Sequence, residues 1–376
     1  MSNFDYLPNR SNTGSEKWDK YRGTDIIPLW VADMDFVSPP CISEAIINVA
    51  QFGVFGYSLP KESCEEAFKS YVRKRHDITP GPRELHWLPG LVCALHAVCR
   101  AYTKPGDEVI TFTPIYPPFL YAPINSGAKT VQVPLNEESW RPDMDALRNA
   151  ISDRTKILLL CNPHNPVGIC FTEDELKEIA DICLAHNIIL CSDEVHCDLI
   201  LNKDSQHVSI TKISEEIAQQ SVTLMAPSKT WNIAGLGCSI AYIPNETLRR
   251  KFIRECRGKI PDANLIGLTA AEAAYREGES WRLELIKYLN GNLNLIEQFV
   301  EKHSNKIKMQ RPDATYLAWL DFRNSGLVNP AKELEAMGVG LSDGKDFAFK
   351  GFMRLNFGCP RSLLKEALNR IEKCLS

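Results

Sequence analysis

The sequence lacks several features that would have indicated other kinds of protein. No apolar run approaches the roughly 18 residues that a membrane span needs, and the start, Met-Ser-Asn-Phe-Asp, has no apolar signal-peptide core. There is no block rich in lysine and arginine, and the net charge is −4. This balance argues against nucleic acid or an anionic membrane as the main partner. We therefore expect a cytoplasmic protein whose partners are neither nucleic acid nor membrane.

Paired cysteines are also lacking. None of the 13 cysteines forms a Cys-x-x-Cys pair, and many lie in apolar runs, for example Cys93, Cys99 and Cys183. Cysteines of this kind are typical of reduced, buried side chains in a cytoplasmic protein. We expect neither a disulfide framework nor a zinc site.

What the sequence does contain is an ordinary globular composition on a long chain. Its 376 residues are 44% hydrophobic and 24% charged, and no internal repeat or low-complexity segment is visible. A chain of this length can bury a large core and is typical of two domains, or of one large domain with an appendage.

One stretch places a lysine in an unusual setting. Ala226-Pro-Ser-Lys-Thr-Trp-Asn232 follows the apolar run Ser221–Met225 and precedes Gly235 and Gly237. This pattern predicts a buried strand ending in a turn that presents Lys229. Desolvation lowers the pKa of an amine, and a neutral amine can form a Schiff base with an aldehyde. A surface lysine on a loop explains the segment equally well when it is considered alone.

Between residues 62 and 225, short apolar strands alternate with amphipathic helices. We predict strands at 85–88, 108–112, 129–133, 156–161, 188–191 and 222–225, and helices at 62–76, 91–102, 143–151 and 172–187. Residues 113–119 are expected to form a rigid aromatic loop. Continuous apolar strands are typical of a buried parallel sheet. The glycine turn before Leu91 would leave the N–H groups of a helix start free to bind an anion.

The pattern changes after residue 260. A long helical stretch over 264–303, with breaks expected at Gly278 and Asn290-Gly291, is followed by strands at 315–322 and 352–357 and a last helix from Arg361 to Leu375. This tail predicts a second, smaller α/β domain. We expect Arg361 to face solvent, His164 to belong to a turn and Cys161 to be a buried strand residue. Asp33 and Asp35 are interpreted as turn-forming carboxylates rather than as chemical groups.

Polar side chains follow several strands at the edge where open α/β sheets bind ligands. These residues are Tyr116, Asn162, Asp193 and Lys229, and Arg354 lies on a strand of the second domain. Each side-chain type has a task in pyridoxal phosphate (PLP) chemistry. The lysine holds the aldehyde, the carboxylate keeps the pyridine nitrogen protonated, and the amide donates to the phenolate oxygen. The aromatic ring stacks, and the arginine binds an α-carboxylate.

Five longer motifs in the correct order give a more specific indication. They are Trp30–Phe36, Cys161–Pro166, Ser192–His196, Ala226–Gly235 and Arg354–Arg361. With them the chain, from Lys17 to Arg361, resembles a fold-type I PLP enzyme of the class I/II aminotransferase superfamily. Within that superfamily it is most similar to the cystathionine β-lyase or C–S lyase subgroup.

The resemblance implies a fold and a division of the chain. The fold would be α/β, with a mostly parallel seven-stranded sheet in a large domain and a smaller α/β domain built from both chain ends. Residues 1–45 would form the N-terminal arm and part of the small domain, 46–284 the large PLP-binding domain, and 285–376 the C-terminal small domain. The protein would be a homodimer with shared active sites.

The resemblance also implies roles for individual residues. Lys229 would be the Schiff-base lysine and the base at the substrate Cα, Asp193 would pair with the pyridine N–H, and Arg354 would bind the substrate carboxylate. The remaining residues would contact the cofactor or the substrate: Asn162 and His196 at the phenolate oxygen, Tyr116 on the ring, Leu91, Val92 and Ser228 at the phosphate, Tyr57 at the phosphate of the neighbouring subunit, and Asn162 and Ala32 at the substrate.

One departure bears on the reaction. Typical aminotransferases of the superfamily carry an arginine eight residues after the lysine, where this chain has Gly237. The C–S lyase subgroup also tends to lack that arginine. The resemblance therefore favours β-elimination from an S-substituted cysteine. An aminotransferase remains the main alternative, and a regulatory protein-binding role a weaker one.

Overall fold

A seven-stranded sheet lies at the centre of the computed structural model, which describes residues 2–376. In spatial order its strands are Leu85–Leu88, Ser239–Tyr242, Ser221–Met225, Ile189–Asp193, Thr155–Cys161, Glu108–Thr113 and Lys129–Pro134. Only Ser239–Tyr242 runs against the others, since both of its neighbours pair with it in antiparallel fashion. The predicted mostly parallel, seven-stranded sheet is confirmed.

The sheet lies between two layers of apolar side chains, which explains why its strands are continuously hydrophobic. In Thr155–Cys161, Leu158 and Leu160 pack into one cluster with Phe171, while Ile157 and Leu159 pack into another. Because side chains alternate across a strand, each strand supplies both layers.

Helices cover the sheet and connect its strands. Those between residues 40 and 256 are Pro40–Phe52, Glu62–His76, Leu91–Tyr102, Pro118–Asn125, Met144–Ala150, Glu173–Ala185, Glu215–Ala218 and Glu246–Cys256. The helix at 173–185 opens with a complete capping box, in which Thr172 and Glu175 each accept from the other's backbone N–H. The expected loop at 113–119 is only partly correct, because a helix already begins at Pro118.

A second, smaller sheet forms from the last third of the chain. Phe352–Asn356 pairs antiparallel with Leu317–Asp321 and with Ser342–Asp343. Ile27–Pro28 near the N-terminus pairs with Val339–Gly340, so both chain ends meet here. The remaining elements of the chain are the helices Glu16–Asp19, Leu265–Glu277, Glu279–Lys302, Pro330–Ala336 and Arg361–Leu375, and the 3₁₀ turns Ile210–Lys212, Ala234–Leu236 and Gly344–Phe347. The domain boundaries themselves stay a prediction.

The expected helix break at Asn290-Gly291 is wrong. Glu279–Lys302 is one continuous helix, and a Cβ on Gly291 would lie 2.5 Å from Nη2 of Arg361. This glycine allows close packing and does not end the helix. Arg361, expected to face solvent, instead lies 4.4 Å above the ring of Tyr288 and donates to Asn292 Oδ1.

None of the helices formed by residues 2–376 combines the length and the apolar character that crossing a bilayer demands.

Candidate active site

A cavity of about 530 Å³ lies at the carboxyl ends of the central strands. Its size is typical of a site for a small-molecule ligand. Most residues singled out from the sequence line it: Ala32, Leu91, Val92, Tyr116, Asp193, His196, Ser228, Lys229 and Arg354. They come from six separate parts of the chain, so the fold itself assembles this group.

Lys229 is on the wall of the cavity, shortly after the strand Ser221–Met225. Its Nζ donates to the backbone oxygen of Ala32 over 2.7 Å. Burial and then the positive charge of Arg354 lower the pKa of Lys229 to about 8, against the opposing effects of Asp33 and Asp193. A larger fraction of this amine is therefore neutral near physiological pH than in an ordinary, solvated lysine.

Asp193 ends the neighbouring strand and is buried. Its Oδ1 accepts from the backbone N–H of Val195 over 3.1 Å. Burial raises the pKa of this carboxyl to about 7, although the Val195 N–H and the charge of Lys229 act in the other direction. A cationic N–H within hydrogen-bond distance of Asp193 would offset the cost of burial and keep the carboxylate ionised.

His196 lies three residues further along and is 2% exposed. Its Nδ1 is buried and has no hydrogen-bond partner among the described residues. Burial, together with the charges of Lys229 and Arg354, lowers the pKa of His196 to about 3. The imidazole is therefore neutral, and it has a ring nitrogen available for a ligand in the cavity.

Arg354 is buried on the small sheet and reaches into the same cavity. Nη1 donates to Asn165 Oδ1 and Nη2 to the backbone oxygen of Trp30, each over 2.9 Å, while Nε is buried without a partner among residues 2–376. Burial lowers the pKa of Arg354 to about 10, so the guanidinium stays charged at neutral pH. No carboxylate among residues 2–376 forms an ion pair with it within 4.0 Å, so its charge is available to an anionic ligand.

The placement predicted for Asn162 is wrong. Its Nδ2 donates to the backbone oxygen of Val208, its Oδ1 accepts from the N–H of Phe171, and the residue is fully buried away from the cavity. Asn165, three residues later, lines the cavity instead. Its Nδ2 makes no hydrogen bond to the described residues. Both asparagines precede a proline in Asn162-Pro-His-Asn-Pro166, so the local sequence does not distinguish them.

One end of the cavity is formed by a helix start. Gly90 precedes the helix Leu91–Tyr102, whose first backbone N–H groups have no partner within the helix. Ser228 lies beside them in the cavity lining. Backbone N–H groups at the positive end of a helix favour a phosphate.

Gly237 has a left-handed backbone with φ of 59°, and a Cβ there would lie 3.0 Å from the backbone oxygen of Pro89. An L side chain is strained in this conformation. The absence of an arginine at this position therefore has a local geometric reason. Among the described residues that line the cavity, the only cationic side chains are those of Lys229 and Arg354.

Tyr316 is a site residue that the sequence did not reveal. Its hydroxyl donates to the backbone oxygen of Ala32 over 2.9 Å, the same atom that accepts from Lys229. The ring lies 6.2 Å from that of His196. An aromatic residue in an apolar strand gives no sign of such a contact, because the partner lies 284 positions away in the chain.

Asp33 and Asp35 are not turn residues, contrary to the sequence interpretation. Asp35 is buried and accepts from Lys17 Nζ over 2.6 Å, Arg10 Nη1 over 2.7 Å and Trp18 Nε1 over 2.8 Å. Asp33 pairs with Arg10 over 2.7 Å. The two carboxylates fasten the N-terminal arm to the segment that carries Ala32.

The expectations for His164 and Cys161 agree with the structure. His164 is buried in the turn, with its ring nitrogens against the backbone oxygens of Cys161 and Pro114. Cys161 is a buried strand residue. Tyr57 lies outside the cavity and is fully exposed.

Comparison with known proteins places this geometry in a family. The family model described as aminotransferase class I and II matches residues 24–371. The chain belongs to the aminotransferase class I and II family. The predicted fold-type I PLP transferase fold is thereby confirmed.

Within the aminotransferase class I and II family, the chain is similar to proteins named for carbon–sulfur cleavage. It is 38% identical over 387 residues to cystathionine beta-lyase PatB of Bacillus subtilis, and the match covers 100% of both chains. The PLP-bound C–S lyase from Staphylococcus hominis superposes with a TM-score of 0.94 at 30% identity, covering 100% of this chain and 98% of that one. The solved structure of a protein named OvoB superposes with a TM-score of 0.96 at 40% identity, covering 100% and 99%.

Proposed function

We propose that this protein is a PLP-dependent carbon–sulfur lyase. It would act on L-cystathionine or related S-substituted L-cysteines by β-elimination to a thiol and aminoacrylate, and water would hydrolyse the released aminoacrylate to pyruvate and ammonia. The observation that carries the proposal is the meeting of Lys229, Asp193 and Arg354 in one cavity of a chain that matches named C–S lyases over its full length.

The cavity fits the cofactor. Asp193 would pair with the pyridine N–H, Tyr116 would cover a ring face, and the Asn165 amide and His196 would contact the phenolate oxygen. Leu91 and Val92 would bind the phosphate with their backbone N–H groups, and Ser228 with its hydroxyl. Two observations support this fit. The buried Nδ1 of His196 lacks a hydrogen-bond partner, which a polar ring substituent would supply. Burial raises the pKa of Asp193, and a cationic ring N–H would offset this effect and keep the carboxylate ionised. When bound, PLP supplies an electron sink that stabilises negative charge at the substrate Cα.

Lys229 is the group that attaches the cofactor and moves the proton. With a pKa of about 8, neutral Lys229 would be available to hold the cofactor through its aldehyde and to take the proton from the substrate Cα. The Ala32 oxygen orients Nζ from one side of the cavity. Loss of the Cα proton allows the thiolate to leave from Cβ.

Arg354 would bind the substrate carboxylate. Its guanidinium is held by Asn165 and Trp30, so its orientation is set before the substrate arrives. The unpartnered Nε remains available as a donor. A fixed guanidinium favours α-amino acids over amines that lack a carboxylate.

The local backbone supports elimination over amino transfer. The left-handed backbone at Gly237 and the Pro89 oxygen 3.0 Å from a Cβ there disfavour the arginine that typical aminotransferases of the superfamily carry, so the phosphate would depend on backbone N–H groups and Ser228. The named C–S lyases among the relatives support the same choice.

A homodimer with shared active sites is part of the proposal. The end of the helix Pro40–Phe52 and the segment after it expose Phe52, Val54, Phe55, Tyr57 and Leu59, each more than half exposed in the single chain. Contiguous exposed apolar side chains favour an interface. In a dimer Tyr57 would reach the phosphate of the neighbouring subunit. We also propose a cytoplasmic location, which the 13 free cysteines support.

Product analysis tests the proposal. The purified holoenzyme is incubated with L-cystathionine and with several S-alkyl-L-cysteines, and pyruvate and free thiol are followed with and without an added keto acid. We expect equal amounts of thiol and pyruvate without the keto acid. Turnover that requires the keto acid would contradict the lyase and favour the aminotransferase.

A further inference from the structure

Next to the cavity, but outside it, two histidines and a cysteine converge. His76, Cys197 and His207 each offer one ligand atom, and these atoms all lie within 4.8 Å of one another. The two imidazole rings are 5.4 Å apart at their centroids and meet edge to face at 89°. None of the three residues takes part in the proposed lyase reaction.

The three residues come from distant parts of the chain. His76 ends the helix Glu62–His76, Cys197 follows the strand Ile189–Asp193, and His207 lies in the loop before Ile210–Lys212. This separation explains why no metal-binding spacing is visible in the sequence.

Each imidazole is oriented by a buried carboxylate. His76 Nε2 lies 2.9 Å from Asp198 Oδ1, and His207 Nε2 lies 3.1 Å from Glu194 Oε2. A carboxylate behind the far nitrogen of a histidine fixes the ring and increases its basicity, as is common around metal ligands. Glu194 is itself held by three further donors: the hydroxyls of Ser192 and Ser209 and the backbone N–H of Ile210.

One polar atom of the group has no partner. Nδ1 of His207 is buried and makes no hydrogen bond to the described residues, and His207 is only 7% exposed. A buried nitrogen without a partner is costly, and a bound ligand would remove that cost.

We propose that His76, Cys197 and His207 form a binding site for one Zn²⁺ ion, with water as the fourth ligand. Two imidazoles and a thiolate are a donor set that zinc prefers. On binding, Cys197 releases its thiol proton to solvent as the S–Zn bond forms, and nothing is oxidised or reduced.

The geometry requires only a small adjustment. Bonds of about 2.0–2.3 Å place tetrahedral ligand atoms about 3.5 Å apart, so the present separations of up to 4.8 Å must contract by about 1 Å. His76 lies at the end of its helix, and its side chain is only 3% exposed, so all three ligands are shielded from bulk solvent. Cys197 directly follows His196, so a bound ion would anchor the segment that lines the cavity.

Zinc binding and X-ray absorption on the holoenzyme test the site without relying on activity. We expect one Zn²⁺ per chain after equilibrium dialysis, and an absorption spectrum with one sulfur ligand at about 2.3 Å and nitrogens at about 2.0–2.1 Å. Bound Zn²⁺ should also raise the thermal midpoint of unfolding. Less than one equivalent of zinc, or a shell of nitrogen and oxygen alone, would mean an adventitious ion only and would overturn the proposal.

Two variants and a control separate this site from other zinc-binding groups. Cys197→Ala and His207→Gln should each lose the stoichiometric zinc. Cys183→Ala removes an equally buried thiol that lies outside the cluster, and it should keep the zinc. If Cys197→Ala and His207→Gln bind zinc as the parent does, the assignment is wrong. If either variant fails to fold, the X-ray absorption spectrum of the unmodified protein still shows whether a sulfur atom and nitrogen atoms bind the zinc.

Discussion

Lys17 and Lys229 contact the same short segment of chain and differ in their partners. Lys17 is fully buried and donates to the Asp35 carboxylate over 2.6 Å and to the Asp33 backbone oxygen over 3.2 Å. Lys229 donates only to the backbone oxygen of Ala32 and faces the cation Arg354 within the cavity. A carboxylate partner compensates the charge of a buried amine and fixes its position. A buried amine without one becomes more easily neutralised and therefore more reactive.

The largest expected effect comes from removing Lys229. In Lys229→Ala the formation of pyruvate should fall by about 10³-fold or more, because both the attachment group and the base are lost. Thiol release from L-cystathionine measures the change. If the variant still carries cofactor that borohydride can reduce onto the protein, the role of Lys229 is wrong.

Removing the other lysine should affect stability instead. Lys17→Met leaves the buried Asp35 with Arg10 and Trp18 alone, so we expect the free energy of unfolding to fall by about 3 kcal/mol. Urea denaturation measures this change. The folded fraction should still attach the cofactor, as seen in its visible absorption. A Lys17→Met protein that is fully stable but cannot attach the cofactor would contradict the structural role assigned to Lys17.

The two asparagines of the 162–166 loop provide a second matched pair. Asn165→Ala removes an oxygen that holds Arg354 and an amide in the cavity, so kcat/KM should fall by about tenfold to a hundredfold. Asn162→Ala loses two hydrogen bonds to backbone and should cost about 1–3 kcal/mol in unfolding free energy, with little change in kcat of the folded protein. Equal losses of kcat/KM in both variants would contradict the reassignment.

The pH dependence of cofactor attachment tests the pKa of Lys229. In cofactor-free protein the rate of PLP attachment should rise with pH through about 8, since the neutral amine is the nucleophile. Arg354→Met removes a positive charge that lowers this pKa, so the midpoint should move to higher pH. Stopped-flow absorption follows both proteins. An unmoved midpoint would show that burial alone sets the pKa.

The smallest effect is expected at Tyr316. Tyr316→Phe removes one of the two donors to the Ala32 oxygen and should cost about 1 kcal/mol of unfolding free energy. Lys229 remains the other donor, so the pH profile of attachment should shift slightly while the cofactor still binds. A shift without any loss of stability would indicate that Tyr316 acts on Lys229 alone.

The sequence predicted those parts of the site that follow directly from the order of apolar and polar residues along the chain. Asp193 and Lys229 each follow an apolar strand, and parallel strands bring their carboxyl ends to one edge of the sheet. The helix starting at Leu91 and the last helix from Arg361 were predicted with their observed bounds. The antiparallel strand Ser239–Tyr242 and the helix Glu246–Cys256 were not predicted at all.

What the sequence could not reveal depends on contacts between distant residues. The choice between Asn162 and Asn165 is decided by Val208, Phe171 and Arg354, which lie in other parts of the chain. The backbone oxygen of Ala32 accepts from Lys229, which lies 197 positions later in the chain, and from Tyr316, which lies 284 positions later. Pairings of this kind arise from tertiary packing, which local pattern does not encode.

Borohydride reduction of the holoenzyme, followed by peptide mass spectrometry, tests the central claim most directly. The account predicts that the reduced cofactor is fixed to the peptide that contains Lys229, and that the peptide containing Lys17 is unmodified. A cofactor adduct on Lys17, or on any lysine other than Lys229, would contradict it.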